Sequence, residues 1–225
     1  VADFLLGSQP LVRGNLDLCR IGAATAEVFL SSTTSPPSKG DTLQLVMKDT
    51  SRLMTVVDVG GDYLQIKCRL VAGRGHLDEP LLEPRDYRGY GAAEIAQDAI
   101  GDAGEVAGDW SLLDVYCANW TRSQMPLRQC LGRISRLVQD PLVTWRVQDD
   151  GAIALVKDDF SVVTETETDF AQLGAWGQER LLLLGMTDTR VVPGRSVSAF
   201  GQIRNVDRCL YEFTSDTFTS WVWYL

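Results

Sequence analysis

The chain has one histidine, His76, and a nucleophile-activating triad needs a base held between its nucleophile and a third, orienting group. Ser8, Ser135 and Ser196 lack the Gly-x-Ser-x-Gly surroundings of a nucleophile elbow. His76 follows a Gly-Arg-Gly turn and reads as a loop histidine without a catalytic task. Carboxylates are plentiful, at 30 acidic residues, and a glycosidase needs only two across a cleft. Glu94, Asp98, Asp102 and Glu105 fall on the polar face of a helix-like stretch. Asp149 and Asp150 belong to a hairpin turn, and Asp158 and Asp159 to a following loop. None stands in an apolar setting that would raise its pKa. Five cysteines, Cys19, Cys68, Cys117, Cys130 and Cys209, are odd in number and scattered, with no Cys-x-x-Cys pair. Neither a zinc knuckle nor a redox dithiol is indicated, and no Asp-x-Asp-x-Asp-Gly loop occurs. Gly73-x-Gly75 lacks the third glycine and the helix of a dinucleotide loop, so it reads as a turn. No catalytic, cofactor-binding or metal-binding residue is assigned, and the protein is expected to be neither an enzyme nor a cofactor carrier.

The elements around these residues are built to pack. In Ala92–Ala103 the apolar positions 92, 95, 96, 99, 100 and 103 form one helical stripe, with Gly104 placed for a left-handed cap. A second stripe is Leu127, Cys130, Leu131, Ile134, Leu137 and Val138, between Pro126 and Pro141. Val143–Val147, Asp149-Asp150-Gly151 and Ala152–Val156 predict a hairpin. Before this cassette, Ala24–Leu30, Thr42–Lys48, Arg52–Val59 and Tyr63–Val71 read as strands. The loop Ser31–Gly40 breaks them, and Gly60-Gly61-Asp62 suggests a tight turn. Pro80, Pro84 and Gly89 mark an extended connection, and 112–120 fits a short helix or a strand. After the cassette, Thr164–Thr168 fits an exposed strand or a loop. Arg180–Leu184, Val197–Phe200, Ile203–Leu210 and Phe218–Leu225 are strand-like, with Pro193-Gly194 as a turn. No internal repeat is evident.

Composition narrows the partners. The 225 residues can bury one large core or two to three small ones. A formal charge of −9 argues against a partner held through phosphates. Free thiols in a reducing compartment are expected. No secretory signal pattern or membrane-length apolar run is seen, so a soluble protein is expected. Two groups of side chains are candidates for contact with other chains. Arg122, Arg128, Arg133 and Arg136 give the second helical region a positive side, either solvated or a docking surface for an acidic neighbour. Trp110, Trp120, Trp145 and Trp176 read as core anchors. Trp221 and Trp223 alternate with Val222 and Tyr224, so a strand would put both indoles on one face, buried in the core or against another chain. The candidate interface residues are Arg128, Arg133 and Arg136 on the helix and Phe218, Trp221, Trp223 and Tyr224 on the terminal strand.

In their order along the chain, several motifs resemble those of baseplate hub proteins of tailed bacteriophages. They are Arg20-Ile21-Gly22-Ala23, Gly40-Asp41-Thr42-Leu43, Leu70-Val71-Ala72-Gly73-Arg74-Gly75-His76-Leu77, and Tyr87-Arg88 before Ala92–Asp98. Thr144-Trp145-Arg146-Val147, Asp150-Gly151 and Val192-Pro193-Gly194-Arg195 continue the likeness, which runs from about Arg13 to the end. The resemblance implies an α+β, mainly β fold in which small antiparallel β-barrel modules flank a two-helix α/β segment with a β-hairpin. On this reading 1–78 is an N-terminal β-barrel-like module and 79–160 the α/β segment. The C-terminal β module is 161–225, open to completing a barrel with the N-terminal strands.

The resemblance also implies a homotrimeric ring at the phage tail tip, assembled in the host cytoplasm. Its partners would be the distal tail protein or tail tube ring, central spike or fibre proteins, and the tape-measure protein. The ring would surround the DNA exit channel without sequence-specific nucleic-acid binding, and an acidic lumen would repel phosphates. A peripheral receptor-binding adhesin, a peptidoglycan hydrolase and a secretion-system spike component are the competing readings.

Overall fold

In the computed structural model, which describes residues 3–31, 35–61, 64–78, 82–163, 170–187 and 189–225, alternating apolar side chains close the first part of the chain on itself. Strands β1 (Phe4–Leu6), β2 (Gln9–Cys19), β3 (Thr25–Ser31), β4 (Thr42–Met47), β5 (Thr50–Gly61) and β6 (Gln65–Ala72) join in the order β1-β4-β5-β6-β3-β2. β1 also pairs with β2, completing a six-stranded antiparallel barrel. Ala26, Val28 and Leu30 of β3 face inward with Cys68, Leu70 and Ala72 of β6, while Glu27 and Phe29 face out. Side chains fill so small a barrel, leaving a core and no channel. The strand predictions from Ala24 to Val71 match to within a few residues, but β1 and β2 lay outside them. Residues 32–34 of the polar loop, Asp62 of the Gly-Gly-Asp turn, Pro80 and 164–169 lie outside the described residues.

The α/β segment follows. β7 (Arg85–Gly91) pairs with β9 (Tyr116–Arg122), so the extended connection through Gly89 is a strand, and 112–120 ends in one. Helix α1 (Ala92–Asp102) buries Ala92, Ile95, Ala96, Ala99 and Ile100. Its first turn is closed by Glu94, whose carboxylate accepts from Gly91 N at 2.8 Å, and Gly104, at φ +78°, takes the expected left-handed position. Helix α2 (Leu127–Ile134), preceded by Pro126, buries Leu127, Cys130, Leu131 and Ile134, and one 3-10 turn (Ser135–Leu137) ends it before Pro141. The hairpin of β10 (Val143–Val147) and β11 (Ala152–Lys157) forms as predicted, and the two-residue β8 (Val106–Ala107) adds to it. Trp110 is buried, and its indole N–H donates to Ile153 O at 2.8 Å.

The last part contains β12 (Val162–Val163), β13 (Phe170–Trp176), β14 (Leu181–Met186), β15 (Ser196–Ala199), β16 (Gln202–Thr214) and β17 (Phe218–Tyr224), paired in the order β12-β15-β16-β17-β14-β13. Counted within each set of six, both orders are 1-4-5-6-3-2. The sequence suggests no repeat; the topology has one. The β-bulges repeat as well. The second strand of each set shifts register between Leu11 and Arg13 or between Gln172 and Gly174, and the fifth between Val56 and Asp58 or between Val206 and Arg208. One difference is that β12 meets β15 in parallel, whereas β1 meets β4 antiparallel. The two sets are fused where β2 pairs antiparallel with β16, from Cys19 opposite Arg208 to Arg13 opposite Thr214.

Candidate assembly surface

The carboxylates that looked solvated are mostly structural. Arg122 of β9 is wholly buried, not part of a positive helix side. Its guanidinium donates to Asp102 of α1 and, through Nε, to Glu83 O at 3.1 Å. Asp98 accepts from Arg85 at 2.5 Å and from the Tyr87 hydroxyl at 2.5 Å. Burial works to raise the Asp98 pKa, but the bonds from Tyr87 and Arg85 and the charges of Arg85 and Arg122 outweigh it and hold the group below the ordinary aspartate value. Glu105, also buried, ties the loop after β6 to α1 by accepting from Arg74 N at 3.0 Å and His76 N at 2.7 Å. Asp158 is buried between Arg20 and Arg146. A desolvated ion pair of this kind holds elements in one arrangement.

A cavity of about 500 Å³ opens where the barrel, the hairpin and Val192-Pro193 meet. Both arginines that line it are already engaged: Arg52 lies 2.5 Å from Asp149, and Arg146 holds Asp158, while Asp150 accepts from Ala152 N at 2.9 Å. Among the described residues no group of three or more His, Cys, Asp or Glu could hold a metal. Burial pushes the Cys130 thiol up to about 11, which disfavours the nucleophilic thiolate.

The arginines on α2 behave separately. Arg128 forks onto Asp78, with Nε 2.7 Å and Nη2 3.0 Å from its two oxygens, and packs this helix against the loop after the barrel. That fork raises its pKa above the arginine value. Arg133 is exposed and donates to Ser123 Oγ at 3.4 Å. Arg136, one turn on, is exposed with no ion-pair partner among the described residues.

The terminal strand divides by face. Phe218 points inward, 7 % exposed, its ring 5.8 Å from that of Phe4 and 5.4 Å from that of Tyr211. It belongs to the core, and its place among the candidate contact residues is corrected accordingly. Tyr224, half-buried, lies under the Arg204 guanidinium at 5.0 Å. Trp221 and Trp223 face outward together. The Trp221 N–H donates to Glu212 at 2.8 Å, and Arg208, paired with Asp17, covers Trp223 at 4.7 Å.

Register enlarges this face beyond β17. Leu181 lies opposite Trp223 and Trp176 opposite Leu181; Leu183 lies opposite Trp221. Trp176 is 42 % exposed, not a core anchor, and Leu173, in the β13 bulge, is 56 % exposed. Gly174 makes room for Trp176, because a Cβ there would stand 2.7 Å from its ring. β13, β14 and β17 read Phe-Ala-Gln-Leu-Gly-Ala-Trp, Leu-Leu-Leu-Leu-Gly-Met and Phe-Thr-Ser-Trp-Val-Trp-Tyr, twenty residues without a charge. In a chain with 23 % charged residues, three adjacent strands of this kind form an apolar outer face. Alternation alone signals the two indoles of β17. The contribution of Trp176, Leu181 and Leu183 depends on pairing that no local pattern reveals.

No protein-family profile matches the sequence, and no curated protein does. Solved structures do. A 43 kDa tail protein of prophage MuSo2 from Shewanella oneidensis superposes with a TM-score of 0.69 at 7 % identity, over 99 % of this chain and 96 % of that one. A tail protein from Neisseria meningitidis MC58 gives 0.69 at 10 % identity, over 99 % and 95 %. The chain has the tail-protein fold. A third structure with this fold, the Escherichia coli c3393 protein, gives 0.66 at 10 % identity, over 99 % of this chain and 74 % of that one. It is described as a type VI secretion system component structurally similar to bacteriophage T4 tail proteins gp27 and gp5. The tail-protein fold agrees with the expected barrel modules around an α/β segment.

Proposed function

We propose that the protein is a non-enzymatic structural subunit of a phage tail baseplate hub. Three copies form a ring on the tail axis, joining the tail tube or distal tail ring above to the central spike or fibre proteins below. The ring encloses the channel through which the tape-measure protein and DNA leave, and the charge of −9 suits such a conduit because it repels phosphates. Within each copy, 1–78, 79–160 and 161–225 act as barrel module, α/β segment and C-terminal β module.

The observation that carries this reading is the uncharged outer face of β13, β14 and β17, centred on Trp176, Leu183 and Trp221. Apolar and aromatic within its three strands, with charge only where Glu212 and Arg208 of β16 border Trp221 and Trp223, it has the composition of an interface centre, and exposed Arg133 and Arg136 supply a second, different patch. Two unlike patches on one chain are what a closed ring requires. The shared fold with tail proteins supports the same reading. A peripheral glycan-binding role is less well served, since the Trp221 N–H is engaged by Glu212 and Trp223 is covered by Arg208.

Electron microscopy of particles carrying a tagged copy tests the location. Label on the axis at the tail tip is the expected result. Label at the periphery, or clearing of cell-wall material by the purified protein, would overturn the proposal.

A further inference from the structure

Two strands of seven residues each keep one edge that is neither paired nor guarded. β7 and β9 form a ribbon with Arg85 opposite Arg122 and Gly91 opposite Tyr116. The same register runs on past both ends, where Ala92 N donates to Val115 O and Leu82 N to Met125 O at 2.8 Å each. Bonded and non-bonded pairs alternate along an antiparallel ladder. Counted inward from either end, the phase is the same. Cys117, Asn119 and Thr121 bond to β7, so the N–H and C=O of Tyr116, Ala118 and Trp120 point away from it. Gly91 agrees on the partner strand, since its outward N–H is taken by Glu94. Among the described residues no strand lies on the far side of β9, and no other backbone group bonds Tyr116, Ala118 or Trp120.

Charges, proline, bends and shortness ordinarily protect an open edge. β7 carries Arg85, Asp86 and Arg88 and bends at Gly89, φ +73°. β8 and β12 are two residues long, and Gly22 bonds along the outer side of β10. β9 has neither charge nor proline from Tyr116 to Thr121, and Tyr116 is 72 % exposed. β13 takes β14 on one edge and no described strand on the other, again without charge or proline.

We propose that β9 of one copy pairs with the open edge of β13 in the next, so that the sheet ending at β13 continues into a neighbour's ribbon. This rests on the self-association proposed above and names its contact. A second copy is the occupant because one chain supplies both members: two unguarded edges of equal length, on different modules. The surroundings match as well. β13 borders the apolar outer face with exposed Leu173 and Trp176, and β9 carries exposed Tyr116 and half-buried Trp120. Because the two edges differ, the contact is head-to-tail, and each added copy again offers one of each.

Residue-resolved amide hydrogen exchange of wild type, dilute and concentrated, tests the pairing. The amides of Cys117, Asn119 and Thr121 should be protected in both states. Those of Tyr116, Ala118 and Trp120 should exchange freely when dilute and slowly in the assembly, together with alternate amides of β13. Proline supplies a second test, because it is tolerated where an edge N–H faces outward. Ala118→Pro should keep the wild-type melting curve and weaken association on the order of tenfold, the loss of one or two hydrogen bonds between chains. Asn119→Pro, which breaks a bond to β7, should lower the melting temperature instead. If wild type assembles while the outward β9 amides stay unprotected, strand addition is wrong and self-association stands. Protection of β9 without any change in β13 would assign β9 to a different strand and equally overturn the pairing. If wild type is monomeric at every concentration, self-association itself fails.

Discussion

Arg20 and Asp158, 138 residues apart in sequence, meet through Nη1 and Oδ2 at 3.0 Å. Arg20 stands in the turn after β2 and also reaches Asp207 of β16 at 3.1 Å, while Arg146 of β10 holds the other oxygen of Asp158. The barrel, the hairpin and the second six-strand set are therefore pinned at one buried carboxylate. Gly194 is part of the arrangement: at φ +85°, its missing Cβ leaves the space the Asp158 carboxylate fills.

Removing that carboxylate leaves the Arg146 guanidinium without its anion and Arg20 with Asp207 alone. Asp158→Ala is expected to destabilise the fold by about 3–5 kcal/mol, the usual cost of breaking a buried pair from one side. Urea unfolding of variant and wild type measures it. A change below about 0.5 kcal/mol, the range of ordinary surface substitutions, would mean the junction is held by other contacts.

The Asp98 cluster sets a pH dependence. Its folded pKa lies below the unfolded value near 3.9, so its contribution is complete above that value and is lost as pH falls through the folded one. Thermal unfolding from about pH 5 to 2 should show a loss in wild type, beginning below about pH 4, that Asp98→Asn reduces. Parallel curves for the two proteins would contradict the assignment.

Burial should also silence the thiols. All five cysteines are free, and burial pushes Cys130 up to about 11 and Cys209 upward as well. Alkylation near pH 8 is expected to spare both in the native protein and to reach all five after denaturation. Rapid native labelling of Cys130, read by mass spectrometry, would show that α2 opens.

The α/β cassette was legible because its signals are local: 3.6-residue stripes, Pro126, Gly104 and an Asp-Gly turn. β2 was not, since Gln9–Cys19 holds Pro10, Gly14, Asn15 and Asp17, all poor strand formers. Tertiary packing overrides propensity there: a Cβ at Gly14 would stand 2.8 Å from both Glu27 O and the Phe213 ring. Arg122 resembled a surface arginine because its anions come from α1, two elements away. The strand repeat was invisible for a similar reason, being a matter of long-range pairing. Of the contact face, alternation revealed Trp221 and Trp223, and misplaced Phe218, whose inward parity only register decides.

The uncharged face gives a separable test. Leu173→Lys puts a charge on an exposed bulge residue, so stability should change by no more than about 0.5 kcal/mol while assembly weakens. Circular dichroism melts beside sedimentation measure both. Assembly unchanged in a stably folded variant would remove Leu173 from the contact.

The central claim is that this chain works by closing a ring of its own copies. Mass measurement of the purified wild-type protein, by native mass spectrometry and by sedimentation over a range of concentrations, tests it most directly. A discrete trimer is the expected result; a monomer of 24.8 kDa that persists at every concentration would contradict it.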